Sequence, residues 1–455
     1  METAELPSLS STRKVPVYRG RFGPVEAERL LWRAGFGPRP GEAKRLAKKG
    51  LEDAVRSLTH PQRERLVGPN PVDDDKHPIA PLDAWGHDHL WWLDRMVRTS
   101  RPLVERMALV WHDWFATSNE GVGSQKLMLR QNNLFRRHGL GSFEQLLLSV
   151  TRDPAMLLWL SGTDNEKGSP NENYGREMME LFTLGAGRGY SERDVREQAR
   201  ALTGFRNDWD DDVGPVNFRY DPSRHDPGPK RIFGRRGRFG WRDACRLSVR
   251  HPSHRSFFVD KLWSYFIPAP PSIATRRALE GIYIRNHFSV RPVVEAILKH
   301  PRLYNGPRMV KPPVVYLAGM LRATRRGIDT EAWIWLANQA GQRLFYPPNV
   351  SGWDDERWLD TASFLARWNL AGRVLRPVAL KTSDTAPLDA DKLLARAFEF
   401  WGRPALTPPT RRALKSFAAR AVADADRNWK KSQYPPLIEN ALRQLIAVSP
   451  DGQTS

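Results

Sequence analysis

The sequence predicts a mainly α fold: a large multi-helix domain carrying a loop-rich insert with a short β-hairpin. Three observations lead there. Apolar residues recur three and four apart in most segments, the spacing of one helix face. Those segments are separated by Gly, Pro and Asp clusters, which punctuate the chain into short elements. The 17 Trp, 19 Phe and 10 Tyr, within 40% hydrophobic residues, supply a sizeable core and exclude a disordered chain.

Residues 1–24 are polar and Pro-containing, with no apolar run of signal-peptide length, and are expected to form a disordered leader. The main domain is expected over 25–376. Ala27, Leu30, Leu31 and Ala34 give its first helix, which stops at Gly35-Phe36-Gly37-Pro38. Two more helices carry Ala43, Leu46 and Ala47, then Leu51, Ala54, Val55 and Leu58, before a Pro- and Asp-rich loop over 60–82. Val104, Met107, Ala108, Trp111 and Phe115 then recur at helical spacing, which assigns most of the rings between 83 and 117 to the core. His87 and His89 have a metal-ligand spacing, but at the start of a helix their rings diverge. Helices with Phe143, Leu146, Leu147 and Val150, then Met156, Leu157 and Leu160, lead to the central stretch.

That stretch, Asn171 to Gly185, has both ends specified. Ser169-Pro170-Asn171 is a turn-and-cap entry and Gly185 a C-terminal stop. Tyr174, Met178, Leu181, Phe182 and Leu184 form an apolar stripe. Glu172, Arg176 and Glu180 stand four apart on a second stripe, flanked by Asn173 and Glu177. Such a ladder suits a solvated salt-bridged face, a buried ion-pair network, or an acid–base site.

Gly187-Arg188-Gly189-Tyr190 lacks the following G-K-S/T of a phosphate-binding loop. Ser191-Glu192-Arg193-Asp194 is a capping box that opens a helix through Val195, Ala199 and Leu202. Residues 206–242 form the longest irregular stretch. It holds an acidic cluster from Asp208 to Asp212, then His225-Asp226-Pro227-Gly228, then a basic run from Lys230 to Arg242 interleaved with Phe233, Phe239 and Trp241. Phe218, Tyr220, Ile232 and Phe233 point to short strands. Helices resume from 243, and Tyr346-Pro347-Pro348-Asn349-Val350-Ser351-Gly352-Trp353 makes a rigid turn. After Leu375, residues 377–455 are expected to form a small helical C-terminal part.

Several function classes are excluded at this level. The single Cys245 rules out an intramolecular disulfide framework and a Cys-based zinc site. No stretch of about 20 apolar residues exists to span a membrane, and a cytoplasmic location is expected. A net charge of +20 attracts polyanions, yet arginine is spread over nearly every helix, the pattern of a composition bias. There is no H-E-x-x-H, no G-x-S-x-G and no dinucleotide fingerprint.

What remains is a constellation drawn from separated segments. Glu177 and Glu180 are the expected acid–base pair, with His112 and His225 as proton carriers. Glu172, Asn173, Arg176, Asp226, Lys230 and Trp353 are the expected substrate-binding groups, Arg176 as the anion anchor. This chemistry suits a hydrolase or lyase acting on a polyanionic or carbohydrate substrate. The same Glu and His residues are also a donor set for a divalent cation.

Asn171-Glu172-Asn173 followed by Arg176-Glu177, Glu180-Leu181 and Thr183-Leu184-Gly185 resembles the signature of a bacterial family, domain of unknown function 1800. Arg33-Ala34-Gly35-Phe36-Gly37, Trp111-His112, His225-Asp226-Pro227-Gly228, Lys311-Pro312-Pro313 and Pro348–Trp353 match in the same order, so the resemblance runs from about residue 28 to the C-terminus. In relatives a second His often stands where this chain has Trp114, a departure that weakens a metal site there. The resemblance implies no assigned activity. It does imply a partner, since relatives are commonly encoded beside a sulfatase-like protein, and a non-catalytic accessory protein is the first alternative to an enzyme. Nucleic-acid binding through 230–242 is the second.

Overall fold

The helical periodicity is realised along the chain. The computed structural model describes residues 14–378, 388–425 and 434–455, and within them helices predominate, with two antiparallel hairpins. The first thirteen residues of the expected leader lie outside the described residues. No helix among the described residues is long and apolar enough to cross a membrane.

The chain divides into two compact units. Among the described residues, the first comprises 14–19, Met107–Gly306 and Phe345–Gly352, and the second comprises Gly20–Arg106, Pro307–Leu344 and those from Trp353 onward. The division therefore does not follow the sequence break near 376.

In the second unit buried arginines act as ties for backbone carbonyls. Arg322, 2% exposed, donates from Nε to the Gly37 carbonyl at 2.9 Å and from Nη1 to that of Val97 at 3.1 Å. Arg367 likewise donates to the carbonyls of Trp358 and Lys311, each at 2.8 Å. Part of the chain's basic charge is thus interior structure, held because five N–H donors can serve several acceptors at once. His87 bonds Glu331 and His89 accepts the Leu344 N–H, so the two rings diverge to different partners as the helix start requires. The C-terminal helices enclose their own cluster of Leu393, Ala397, Leu414, Ile438, Leu442 and Ile446.

The first unit carries the central stretch. Its core is aromatic: Phe115 meets Phe182 edge-on at 5.0 Å, and Phe143 meets Phe258 at 5.2 Å. The capping box forms as expected, with the Ser191 hydroxyl accepting from the Asp194 N–H and Asp194 accepting from that of Ser191. It starts the helix Glu192–Ala201, which lies against the helix Asn173–Glu177. Gly175 makes that approach possible. A Cβ there would stand 3.2 Å from the Ala199 nitrogen and 3.4 Å from the Val195 carbonyl.

The insert forms two hairpins rather than one. β1 (Phe205–Asp210) pairs with β2 (Gly214–Tyr220), with Phe205 opposite Tyr220 and an irregularity between Arg206 and Asp208. β3 (Lys230–Ile232) pairs with β4 (Arg235–Gly237) across a two-residue turn, Phe233-Gly234. Both turn residues have positive φ, at 48° and 75°, as a tight hairpin turn demands.

Replacing Gly175 by Leu forces these two helices apart. It is expected to cost about 1–3 kcal/mol in chemical denaturation, with Gly175→Ala costing clearly less.

Candidate active site

The central stretch is α-helical only over Asn173–Glu177; from Met178 to Thr183 it winds as a π-helix. The Leu184 N–H reaches the carbonyl of Met179, five residues back, at 2.8 Å, and the Thr183 hydroxyl donates to that of Met178 at 2.5 Å. The stretch ends at Thr183, and the last carbonyls of a helix lack intrahelical partners. Three in a row are taken by side chains. Lys261 Nζ donates to the Leu181 carbonyl at 3.0 Å, Trp114 Nε1 to that of Phe182 at 3.1 Å, and His254 Nδ1 to that of Thr183 at 2.9 Å. A carbonyl only accepts, so His254 carries its proton on Nδ1 and accepts at Nε2 from the Tyr283 hydroxyl, 3.0 Å away. Burial pushes this imidazole down to about 4 and keeps it neutral.

Lys261 sits among rings. Its ammonium stands 4.7 Å from the Trp114 centroid and 5.7 Å from that of Phe257. Burial lowers its pKa from 10.5 to about 8, opposed by the negative charge of Asp113. Asp113 accepts from the Tyr265 hydroxyl at 2.7 Å. The Pro348–Gly352 turn closes over Asp113: Gly352, at φ +97°, would place a Cβ 2.3 Å from Asp113 Oδ1.

On the outer face of the stretch, Arg176 is enclosed by carboxylates. It contacts Glu172 at 3.1 Å, Glu180 at 3.5 Å, and Glu192 of the next helix at 2.7 and 3.0 Å as a fork. These partners raise its pKa, the hydrogen bond to Glu192 most of all. Arg176 therefore does not act as the expected anion anchor, since its donors are already spent on acids. Glu177 is different. It is half-buried and makes no hydrogen bond or ion pair among the described residues. Burial first, and then the adjacent charge of Glu180, raise its pKa above the ordinary 4.5, against a smaller lowering by Arg176. The Tyr190 hydroxyl, which accepts from the Gly187 N–H, lies within the influence of Glu180. Asn173 is exposed and its N–H is held by the Asn171 side chain at 2.9 Å.

The other expected site residues are placed elsewhere. His112 is 1% exposed, its ring packed against Phe135 and edge-on to Phe345 at 5.6 Å, and burial lowers its pKa to about 3. A neutral imidazole sealed from solvent cannot carry protons to a substrate. His225, Asp226 and Lys230 form a self-contained loop. The Asp226 N–H bonds the Thr203 hydroxyl and its carboxylate accepts from Arg200 Nε at 2.7 Å, while Lys230 Nζ donates to the carbonyls of Asp226 and Gly228. His225 Nδ1 faces the carbonyl and hydroxyl of Thr203, and burial lowers its pKa. Glu192 and Arg200 anchor the two clusters at opposite ends of one helix, roughly 12 Å apart at 1.5 Å per residue. Trp353 belongs to the second compact unit. Among the described residues no group of three His, Cys, Asp or Glu side chains forms a metal-binding cluster.

With this geometry in hand, comparison with known proteins gives one match. The model of a family described as a protein of unknown function, DUF1800, matches residues 29–454. The chain belongs to the DUF1800 family. No curated protein and no solved structure matches it. The family signature at Asn171–Gly185 thus falls on the π-helical segment and its carboxylates.

Sequence reasoning missed Asp113, Lys261, Tyr265 and Glu192. The signal for the first two was a charge set among rings: Asp113 between Trp111 and Phe115, and Lys261 between Phe257 and Trp263.

Two titrations probe these environments. Because the folded state favours protonated Glu177, its ionisation at neutral pH opposes folding. Glu177→Gln is expected to be more stable than the parent at pH 7, with the difference closing below 4.5. For Lys261 the unfolded chain binds more protons between about 8 and 10.5, so stability gains a rising contribution across that window. Denaturation at stepped pH should show that contribution lost in Lys261→Met.

Proposed function

We propose that this DUF1800 protein is an enzyme of the hydrolase or lyase class, with Glu177 as the proton donor and Glu180, the carboxyl paired with Arg176, as its partner. The observation that carries this reading is the contrast between two carboxyls one turn apart. Glu177 is unpaired, half-buried and held toward its protonated form; Glu180 is paired with Arg176 at 3.5 Å. An acid held toward its protonated form, one turn from a second carboxyl engaged by a guanidinium, is an arrangement suited to acid–base division of labour.

The local charge narrows the substrate. Glu172, Glu180 and Glu192 occupy the guanidinium of Arg176, with Glu177 beside them. A polyanion finds Arg176 already engaged there, whereas an uncharged carbohydrate does not need it. The acid would protonate the leaving glycosidic oxygen, and the carboxylate would act on water, on the sugar, or on a proton adjacent to the bond.

The test is turnover on a panel of neutral oligosaccharides, reading both new reducing ends and unsaturated products. Glu177→Gln is expected to lose about 10²–10⁴-fold in kcat while melting no lower than the parent. Full activity in this variant, or no turnover by the parent on any neutral glycan, would remove the proposal.

A further inference from the structure

A second feature of the first unit lies outside this chemistry. Its helices Gln125–His138, Phe143–Thr151 and Trp241–Arg250, together with β2, enclose a cavity of about 510 Å³. That is the size of a site for one small organic molecule.

Its lining is unusual in its cations. Arg130, Arg137, Arg152 and Arg242 all border it, and none of them makes an ion pair or hydrogen bond with a carboxylate among the described residues. Arg176, Arg200 and Arg246 of the same unit are matched to acids; Arg235, Arg236 and Arg238 have no carboxylate partner among the described residues either, but they do not border this cavity. Arg219 at the same cavity is itself matched, forked onto Asp208 at 2.8 Å to each oxygen. The one acid in the lining, Asp153, is 2% exposed and turned inward, accepting from Gln131 Nε2 at 2.8 Å and from the Met156 N–H. Burial raises its pKa to about 6, which further reduces the negative charge it offers. His138 is also in the lining; burial first, and then the charges of Arg137 and Arg152, disfavour its protonation. These four guanidinium groups are exposed at the rim, and together they give the cavity a positive potential that draws an anion.

Aromatic side chains share the lining. Phe218 and Tyr220 are two apart on β2 and both half-buried, and the Tyr220 hydroxyl has no hydrogen-bond partner among the described residues. The Arg242 guanidinium lies over the Trp241 ring at 4.3 Å and presents a second flat surface. Phosphate-binding arginines together with flat stacking surfaces match a ligand with an anionic end and a planar end.

We propose that this cavity binds a nucleoside polyphosphate, its phosphates on Arg130, Arg137 and Arg152 and its base against Phe218, Tyr220 and Arg242. The volume admits a single nucleotide and not a nucleic-acid duplex. The inference is independent of the role given to Glu177.

The experiment is calorimetric titration of the full chain with ATP, with pyrophosphate and adenosine as the two halves of the ligand. ATP is expected to bind, pyrophosphate to compete more weakly, and adenosine to bind least. Arg130→Glu with Arg152→Glu should weaken ATP at least tenfold. Arg235→Glu with Arg236→Glu, an equal charge change on exposed residues of the β3–β4 hairpin, should change it less than twofold. Tyr220→Ala should weaken ATP but leave pyrophosphate unchanged. All variants are checked by thermal melting, and the exposed arginine pairs are expected to melt with the parent. Equal loss in the two charge variants would reduce the effect to general attraction to a basic protein and overturn the proposal. So would a Tyr220→Ala variant with unchanged ATP affinity, or absence of ATP binding by the parent.

Discussion

The first unit depends on how the π-helical turn is held. The carbonyls that end a helix have no intrahelical partner and would each cost free energy if left buried without a donor. Leu181, Phe182 and Thr183 each receive one from another helix: an ammonium, an indole and an imidazole. These three contacts fasten the central stretch to the helices Pro102–Trp114 and Pro252–Ser264 at the same time. They also fix protonation states, since His254 must keep its Nδ1 proton and Lys261 must keep at least one hydrogen toward Leu181. Trp114, the residue that weakens a metal reading from sequence, supplies one of these donors.

How much of this could be read from the chain differs from feature to feature. The ends of the central stretch were legible because caps are local: Asn171 bonds the Asn173 N–H, and Gly185 takes φ +92°. The π turn was not. A five-residue register changes which residues share a face by less than one position over so short a run, and apolar Met178, Met179 and Phe182 stay buried in either winding. The acid ladder was visible, but its outcome hinged on Glu192, which the capping-box signal placed at a helix start and not beside Arg176. Spacing also could not distinguish Glu177 from Glu180. Their difference comes from a guanidinium that reaches one and not the other.

The histidines illustrate the opposite limit. His112 and His225 drew interest because imidazole chemistry is general, yet each is absorbed into local structure. His112 fills aromatic packing, and His225 secures the loop through Thr203. The basic character divides in the same way. Arg322 and Arg367 serve as interior ties, Arg235 and Arg236 stand in solvent on a hairpin, and Arg130 and Arg152, also exposed, border a cavity. Net charge alone cannot separate these uses, because it sums over them.

The fork between Arg176 and Glu192 joins the two ends of the segment that connects their helices. That connection contains Gly185, Gly187 and Gly189, all in left-handed conformations. A glycine-laden bridge of this kind has the makings of a swinging flap. Here its abutments are riveted together, and Arg188 is moored to the Ser256 hydroxyl at 2.7 Å. The glycines give this connection conformational latitude, and the two side-chain ties draw it toward one of the shapes open to it.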